Sequence, residues 1–332
     1  MEVKKMAANV ETMVYVREVP WHKLGIKVEE APTSEEALRL AGLDWTVRQT
    51  PVYMEHKLQT LDGVEKSNYI EVPNCKVNVR STDNAVLGVV TDRYKIVQNV
   101  EAFEFTDAIV GETEDGVVKY ETAGSLCGGK RIWLLARMPV RKVLDDEVEP
   151  YMFFSNSHDG TGAIKVGMTP VRIVCANTLS LALKTAKRQW STKHVGDMQS
   201  KLEEAKLCLQ LADKYMTNLD IEADRLANAK LYEEQISEIL DEMFPVDDKA
   251  TERKKNNILQ FKNQFWTAYS MPDIQQFEDS AWKAVNAMSD VVTHAAPQRA
   301  SATYNENRWG KLMDGHPIMD QFVTLVNKKI AA

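Results

Sequence analysis

His158 and Asp159 stand side by side in the string Asn156-Ser157-His158-Asp159-Gly160. An imidazole beside a carboxylate can ligate a divalent metal or move a proton. His22, in Pro20-Trp21-His22, and Asp92 are a further imidazole and carboxylate that could complete such a site. Adjacent residues on a turn point apart, however. The same string therefore also reads as hairpin-turn chemistry, in which Asn, Ser, Asp and Gly bond the local backbone. Cys175 could serve as a nucleophile with His158 as its base. It sits in an apolar stripe, where a thiol packs rather than reacts.

The second chemistry is electrostatic. No acidic residue occurs between Asp159 and Asp197, and the interval carries Lys165, Arg172, Lys184, Lys187, Arg188 and Lys193. In a chain of net charge −7 this is a local reversal of sign, the footprint expected of a polyanion partner. A solvated basic face with no ligand is the alternative. Trp190 stands beside these cations, and a Trp in a basic track can stack a base. Arg93, Tyr94 and Lys95, at an expected hairpin tip, offer the same combination. Lys130 and Arg131, after Gly128-Gly129, form another basic edge.

Other chemistries lack a signal. The sequence contains no GxxxxGK[ST], GxGxxG, HExxH or GxSxG string, and nothing in it calls for a cofactor. Its four cysteines are scattered without a CxxC pair, so free, reduced thiols in a cytoplasm are expected, and no zinc or other metal site. The N-terminus lacks an apolar signal-peptide core, and no run approaches the ~20 apolar residues that span a bilayer.

These residues need elements to hold them. Thr33 to Leu43 has the marks of a short helix, with Thr33 or Ser34 as its cap and Gly42 as its stop. From Asp44 the apolar period changes to two, and strands with polar turns follow as far as Gln98. Asn99 is placed to cap a helix through Val110. Two more strands lead to Asp145–Glu149. Strand-like runs then flank the turn Asn156–Gly162, and Pro170 ends the second of them. A long helix is expected from Val171, with Lys184, Lys187, Arg188 and Ser191 on one face because residues three and four apart stack. From Gln199 the pattern is helical as far as Val292, a polar, loop-like stretch follows over His294–Asn307, and a last short helix is expected over Asp320–Ile330. The fold class expected is α+β: an antiparallel β-meander with packed helices over 1–195, then a helical subdomain over 196–332.

Taken together, several strings resemble a family of phage, prophage and plasmid proteins built on a domain of unknown function. They are Pro20-Trp21-His22 with Leu24-Gly25, Gly88 with Arg93-Tyr94, Val97-Gln98-Asn99 and Gly124-Ser125-Leu126. Asn156 to Gly160, Thr169-Pro170-Val171-Arg172, Cys175 and Asn177-Thr178-Leu179 complete the set. The resemblance implies a mobile-element origin and assigns no catalytic residue. By architecture alone, antiparallel strands with a basic helix are similar to phage single-strand annealing proteins, which need no ATP and assemble as rings or filaments.

The expectation from sequence is thus a single-stranded DNA-binding, recombination-related protein, a homo-oligomer that anneals strands. Lys165, Arg172, Lys184, Lys187, Arg188, Lys193, Arg93, Lys130 and Arg131 would meet phosphates, and Trp190 and Tyr94 would stack bases. His22, Asn156, His158 and Asp159 form a possible secondary site. A metal-dependent nuclease or other hydrolase, and a module that binds a host or phage protein, are the alternatives.

Overall fold

A computed structural model describes residues 10–16, 25–59, 65–110, 118–144, 146–172, 177–178, 189–209, 212–246, 249–294 and 316–331. The chain is α+β, as expected, and divides into two units that interleave in sequence. Unit 1 comprises residues 1–137, 152–166 and 190–207, and unit 2 comprises 138–151, 167–189 and 208–332. Two stretches from within the expected first domain, 138–151 and 167–189, thus belong with the helical part.

The larger sheet of unit 1 contains β1 (Val10–Val16), β2 (Ile26–Val28), β6 (Tyr120–Leu126), β7 (Arg131–Arg137) and the end of β9 (Asp146–Ser157), in the order β9-β7-β6-β1-β2. Its pairs β1–β6 and β6–β7 are antiparallel, whereas β1 and β2 run parallel. Gly124 lies where β1 crosses it, and a Cβ there would sit 2.4 Å from the Thr12 carbonyl oxygen. The smaller sheet is an antiparallel ladder, β3 (Val47–Gln59), β4 (Glu65–Arg80) and β5 (Val86–Thr91). The helices α1 (Ser34–Leu40) and α2 (Asn99–Val110) belong to this unit. Val14, Leu43, Leu87, Ile132, Leu134, Phe153 and Phe154 fill its core.

The start of α1 follows its sequence. The Thr33 N–H and hydroxyl both donate to the Glu36 carboxylate at 3.0 Å, and Gly42 ends the turn at φ +64°. The start of α2 does not. Gln98 N–H donates to Glu101 Oε2 at 2.6 Å, so the helix is capped from within, and the Asn99 amide is released for a tertiary role.

The stretch expected to be a long basic helix is largely outside the described residues, and its described parts are strand. β10 runs Ile164–Arg172, straight through Pro170, β11 covers Asn177–Thr178, and β12 is Gln189–Thr192. β10 and β11 pair antiparallel, Val171 against Thr178 and Arg172 against Asn177. Spacings of three and four in VRIVCANTLSLAL suggest a helix. The same run is rich in β-branched residues, which pack well on a pleated surface, and short apolar runs serve either period.

Unit 2 is mostly helical: α4 (Ala212–Asn228), α5 (Glu233–Met243), α6 (Glu252–Tyr269), a 3₁₀ turn (Pro272–Phe277), α7 (Ala281–His294) and α8 (Pro317–Ile330). α3 (Met198–Leu209) precedes them, mainly in unit 1. Tyr215, Leu219, Ile236, Leu240, Phe265, Trp282 and Phe322 form one buried cluster, the packing role expected of the apolar stripes. Thr251 caps α6 by accepting from Lys254 N–H at 3.3 Å. Among the described residues no helix is long and apolar enough to cross a membrane.

Candidate functional site

The turn after β9 holds the enzyme-like string, and its groups face apart. Ser157 Oγ donates to Asp159 Oδ1 at 2.5 Å and accepts Gly162 N–H at 3.1 Å. Asp159 Oδ1 also accepts the Thr161 N–H and hydroxyl, at 2.8 and 2.7 Å. Asn156 bonds inward, donating to the Val97 carbonyl at 2.9 Å. Burial by itself would raise the Asp159 pKa. The hydrogen bonds from Ser157 and Thr161, with Arg131 nearby, outweigh burial and hold the carboxyl below its ordinary value.

His158 turns the other way and is fully buried. Its Nε2 lies 2.9 Å from Asn99 Oδ1. Asn99 Nδ2 donates to the carbonyls of Leu43 and Trp45, at 2.9 and 3.3 Å, so its oxygen must face the ring. An amide oxygen only accepts, so the proton sits on Nε2 and Nδ1 is a bare acceptor. No partner for Nδ1 exists among the described residues. The ring meets Trp45 edge-on, with centroids 5.4 Å apart. Desolvation, with His194 nearby, pushes the His158 pKa down to about 3, so the ring is neutral.

His194 repeats the pattern. Its Nδ1 donates to the Lys95 carbonyl at 2.9 Å, and the buried Nε2 has no partner among the described residues. Burial lowers its pKa as well. Tyr94 stacks on it at 4.5 Å and donates its hydroxyl to the Ser157 carbonyl at 2.5 Å. Asn78, also buried, donates to the His158 carbonyl at 2.7 Å. β5 presses on the turn from outside. A Cβ on Gly88 would lie 2.6 Å from Asp159 Cα, and Gly160 needs φ +78°. The turn is therefore anchored by β4, β5, the start of α2 and the segment around His194.

This geometry separates His158 from Asp159. The imidazole is buried and spoken for by Asn99, while the carboxylate closes its own turn. No group of three or more His, Cys, Asp or Glu that could hold a metal occurs among the described residues. His22, the remaining member of the expected secondary site, lies outside them.

The surface around the turn is cationic. His158 N–H donates to the Lys130 carbonyl at 2.7 Å, which brings the β6–β7 corner onto the turn. From that corner the exposed Arg131 reaches Thr161 Oγ1 at 3.3 Å. On the other side Tyr94 bridges to Val195, and Lys95 N–H donates to the His194 carbonyl at 2.8 Å. This sets exposed Arg93 and Lys95 beside exposed Lys193. Arg93, Lys95, Lys130, Arg131 and Lys193 form no ion pair with a described carboxylate at 4 Å or less. Asp92, Asp159 and Asp197 stand in the same region. Asp197 is committed to the first turn of α3, accepting Gln199 N–H at 3.1 Å and the Ser200 hydroxyl. A shallow hollow of about 480 Å³ opens between Lys95-Ile96 and Gly196–Gln199.

Two expected roles are corrected. Tyr94 and Trp190 were expected to stack bases, but both are buried. The face of Tyr94 is taken by His194 and its hydroxyl by the backbone, and Trp190 lies in strand β12 rather than at a helix end. Lys165 and Arg172 lie on β10, while Lys184, Lys187 and Arg188 are outside the described residues. Sequence reading missed Asn78, Asn99 and His194. The strings Val97-Gln98-Asn99 and Lys193-His194 were visible, but no spacing rule joins residues so far apart.

The site is thus a polar-stapled turn of an α+β protein, with Arg93, Lys95, Lys130, Arg131 and Lys193 near it. The chain belongs to the family described as domain of unknown function (DUF932), which matches residues 86–313. That match runs from β5 through α7, stops short of α8, and includes the whole turn. No curated protein and no solved structure matches the chain.

Proposed function

We propose that this protein binds single-stranded DNA and acts, without ATP, in strand annealing for a phage or other mobile element. The observation that carries the reading is the set Arg93, Lys95, Lys130, Arg131 and Lys193. They surround one rigid turn without carboxylate partners among the described residues, on a chain of net charge −7. Arg93, Lys95, Arg131 and Lys193 are exposed and Lys130 is half-buried, and cations held near one another without a close ion pair are suited to phosphates. The acid-free run of Lys184, Lys187 and Arg188 extends the positive charge in sequence. The resemblance to phage and plasmid proteins supplies the biological setting. Annealing requires only that a strand be held extended, so no nucleophile is needed, in keeping with the separation of His158 from Asp159.

The test is a charge reversal on the described surface. Arg93→Glu with Lys193→Glu should abolish a gel shift of oligo-dT while leaving the circular dichroism and melting temperature intact. Binding that survives this change would reject the surface, and no binding by the unmodified protein would reject the reading.

A further inference from the structure

Beyond Pro51 the strands β3 and β4 continue as a two-stranded arm. The ladder slips at its base. Pro51 pairs with Lys76 but Tyr53 pairs with Glu71, so β4 bulges over Val72–Cys75, with Asn74 at φ +61°. Outward from there the register is regular, from Tyr53–Glu71 to Leu58–Lys66. Apolar side chains remain in water: Tyr53 is 55% exposed, Met54 51%, Leu58 47% and Ile70 44%. Near its start the outer edge of β3 is closed by Gln98, whose amide accepts from Val47 N–H and donates to the Val47 carbonyl, both at 2.8 Å. From Tyr53 to Leu58 no described residue closes that edge. A lone two-stranded ribbon is marginal in water, and an open edge is a template for another strand.

We infer that this edge pairs antiparallel with the same edge of a second copy of the chain, with His56 opposite His56. The edge is self-complementary. Strand alternation puts Met54, His56 and Leu58 on one face and Tyr53, Glu55 and Lys57 on the other. A two-fold axis perpendicular to the ribbon keeps each residue on its own face, so the register can shift only in steps that put an equivalent residue on the axis. With His56 on the axis, Glu55 meets the second copy's Lys57, twice by symmetry, and Met54 meets its Leu58, also twice. With Glu55 or Lys57 on the axis, like charges oppose each other, which is destabilising. One register therefore matches charge with charge and apolar with apolar. It also extends the exposed Met54–Ile70 pair by the second copy's Leu58, an apolar stripe across three strands. The Ser67 hydroxyl donates to Glu55 Oε1 at 2.6 Å, which leaves the other carboxylate oxygen for the partner's lysine. This inference rests on the arm alone and is independent of the nucleic-acid reading.

Light scattering and sedimentation across a concentration series test it. The unmodified chain should dimerise. Glu55→Lys should weaken the dimer by about tenfold or more, since two favourable cross-strand pairs become two repulsive ones. The double change Glu55→Lys/Lys57→Glu should restore it. Under mild oxidation His56→Cys should give a reducible dimer. Asn68→Cys, on β4 and one strand away from the seam, should not, with the unmodified chain as the blank for native thiols. A chain that stays monomeric, so that the edge serves some other partner, overturns the inference. So does a dimer indifferent to Glu55→Lys, or equal cross-linking at positions 56 and 68.

Discussion

Asn99 Oδ1 accepts a hydrogen bond from His158 Nε2 at 2.9 Å, joining the first residue of α2 to the turn after β9. Both residues are buried, and the same amide donates to two carbonyls. One side chain thus fixes a tautomer, a helix start and the position of a loop. Replacing Asn99 with Ala orphans the His158 N–H and the Leu43 and Trp45 carbonyls. We expect a loss of roughly 2–3 kcal/mol in urea unfolding, the cost of a few unsatisfied buried groups. A change under 1 kcal/mol would mean that water replaces the amide without loss.

The buried histidines make stability depend on pH. In the folded chain His158 has a pKa lowered from 6.5 to about 3, and that of His194 is lowered too. Between about pH 6.5 and 3 the unfolded chain therefore binds protons that the folded chain refuses. The stability contributed by neutral burial is fully present above pH 6.5 and falls as the pH drops through that window, with a slope near 1.4 kcal/mol per pH unit for one histidine. Denaturant titrations at a series of pH values should show this fall, and His158→Gln should make it shallower. An unchanged slope in that variant would place the proton uptake elsewhere.

Gly88 and Asp159 are in backbone contact, so Gly88→Ala should destabilise the fold by about 1–3 kcal/mol through overpacking against backbone that cannot yield. Gly128, whose Cβ would meet nothing within 4 Å, is the contrasting site. Its Ala variant has only the cost of positive φ. Melting curves of the two should rank Gly88→Ala the lower.

Much of the architecture was legible in the chain, wherever the cause was local. Thr33 and Gly42 announced α1, and the apolar stripes of residues 202–292 announced the helices of unit 2. Long-range partnerships were not legible. Asn99 reads as a helix cap by type and place, but its amide bonds a carbonyl 56 residues back and a ring 59 residues on. Tyr94 reads as an exposed ring on a hairpin tip, yet it is buried, with His194 stacked on its face and its hydroxyl on the Ser157 carbonyl. Val171 to Leu183 fits both periods, and pairing of Val171 with Thr178 decides for strand at its start. The turn Asn156–Gly160 was legible as local bonding through Asp159, because that chemistry spans a few residues. The burial of His158 was not.

The cations around the turn should act through charge alone. Replacing Arg93, Arg131 and Lys193 by Gln should therefore weaken oligo-dT binding similarly for every base composition, and leave the melting temperature within about 1 °C, since exposed charges contribute little to stability. Loss of binding to one sequence only would point to base readout instead.

The central claim is that this surface meets a polyanion by releasing counterions. Its most direct measurement is the affinity of the purified protein for labelled oligo-dT at a series of salt concentrations. The account predicts a linear fall of log K with log salt, at roughly 0.7 per phosphate contact and a total slope steeper than about −2. An affinity that stays level from low to high salt, or no measurable binding at low salt, would contradict it.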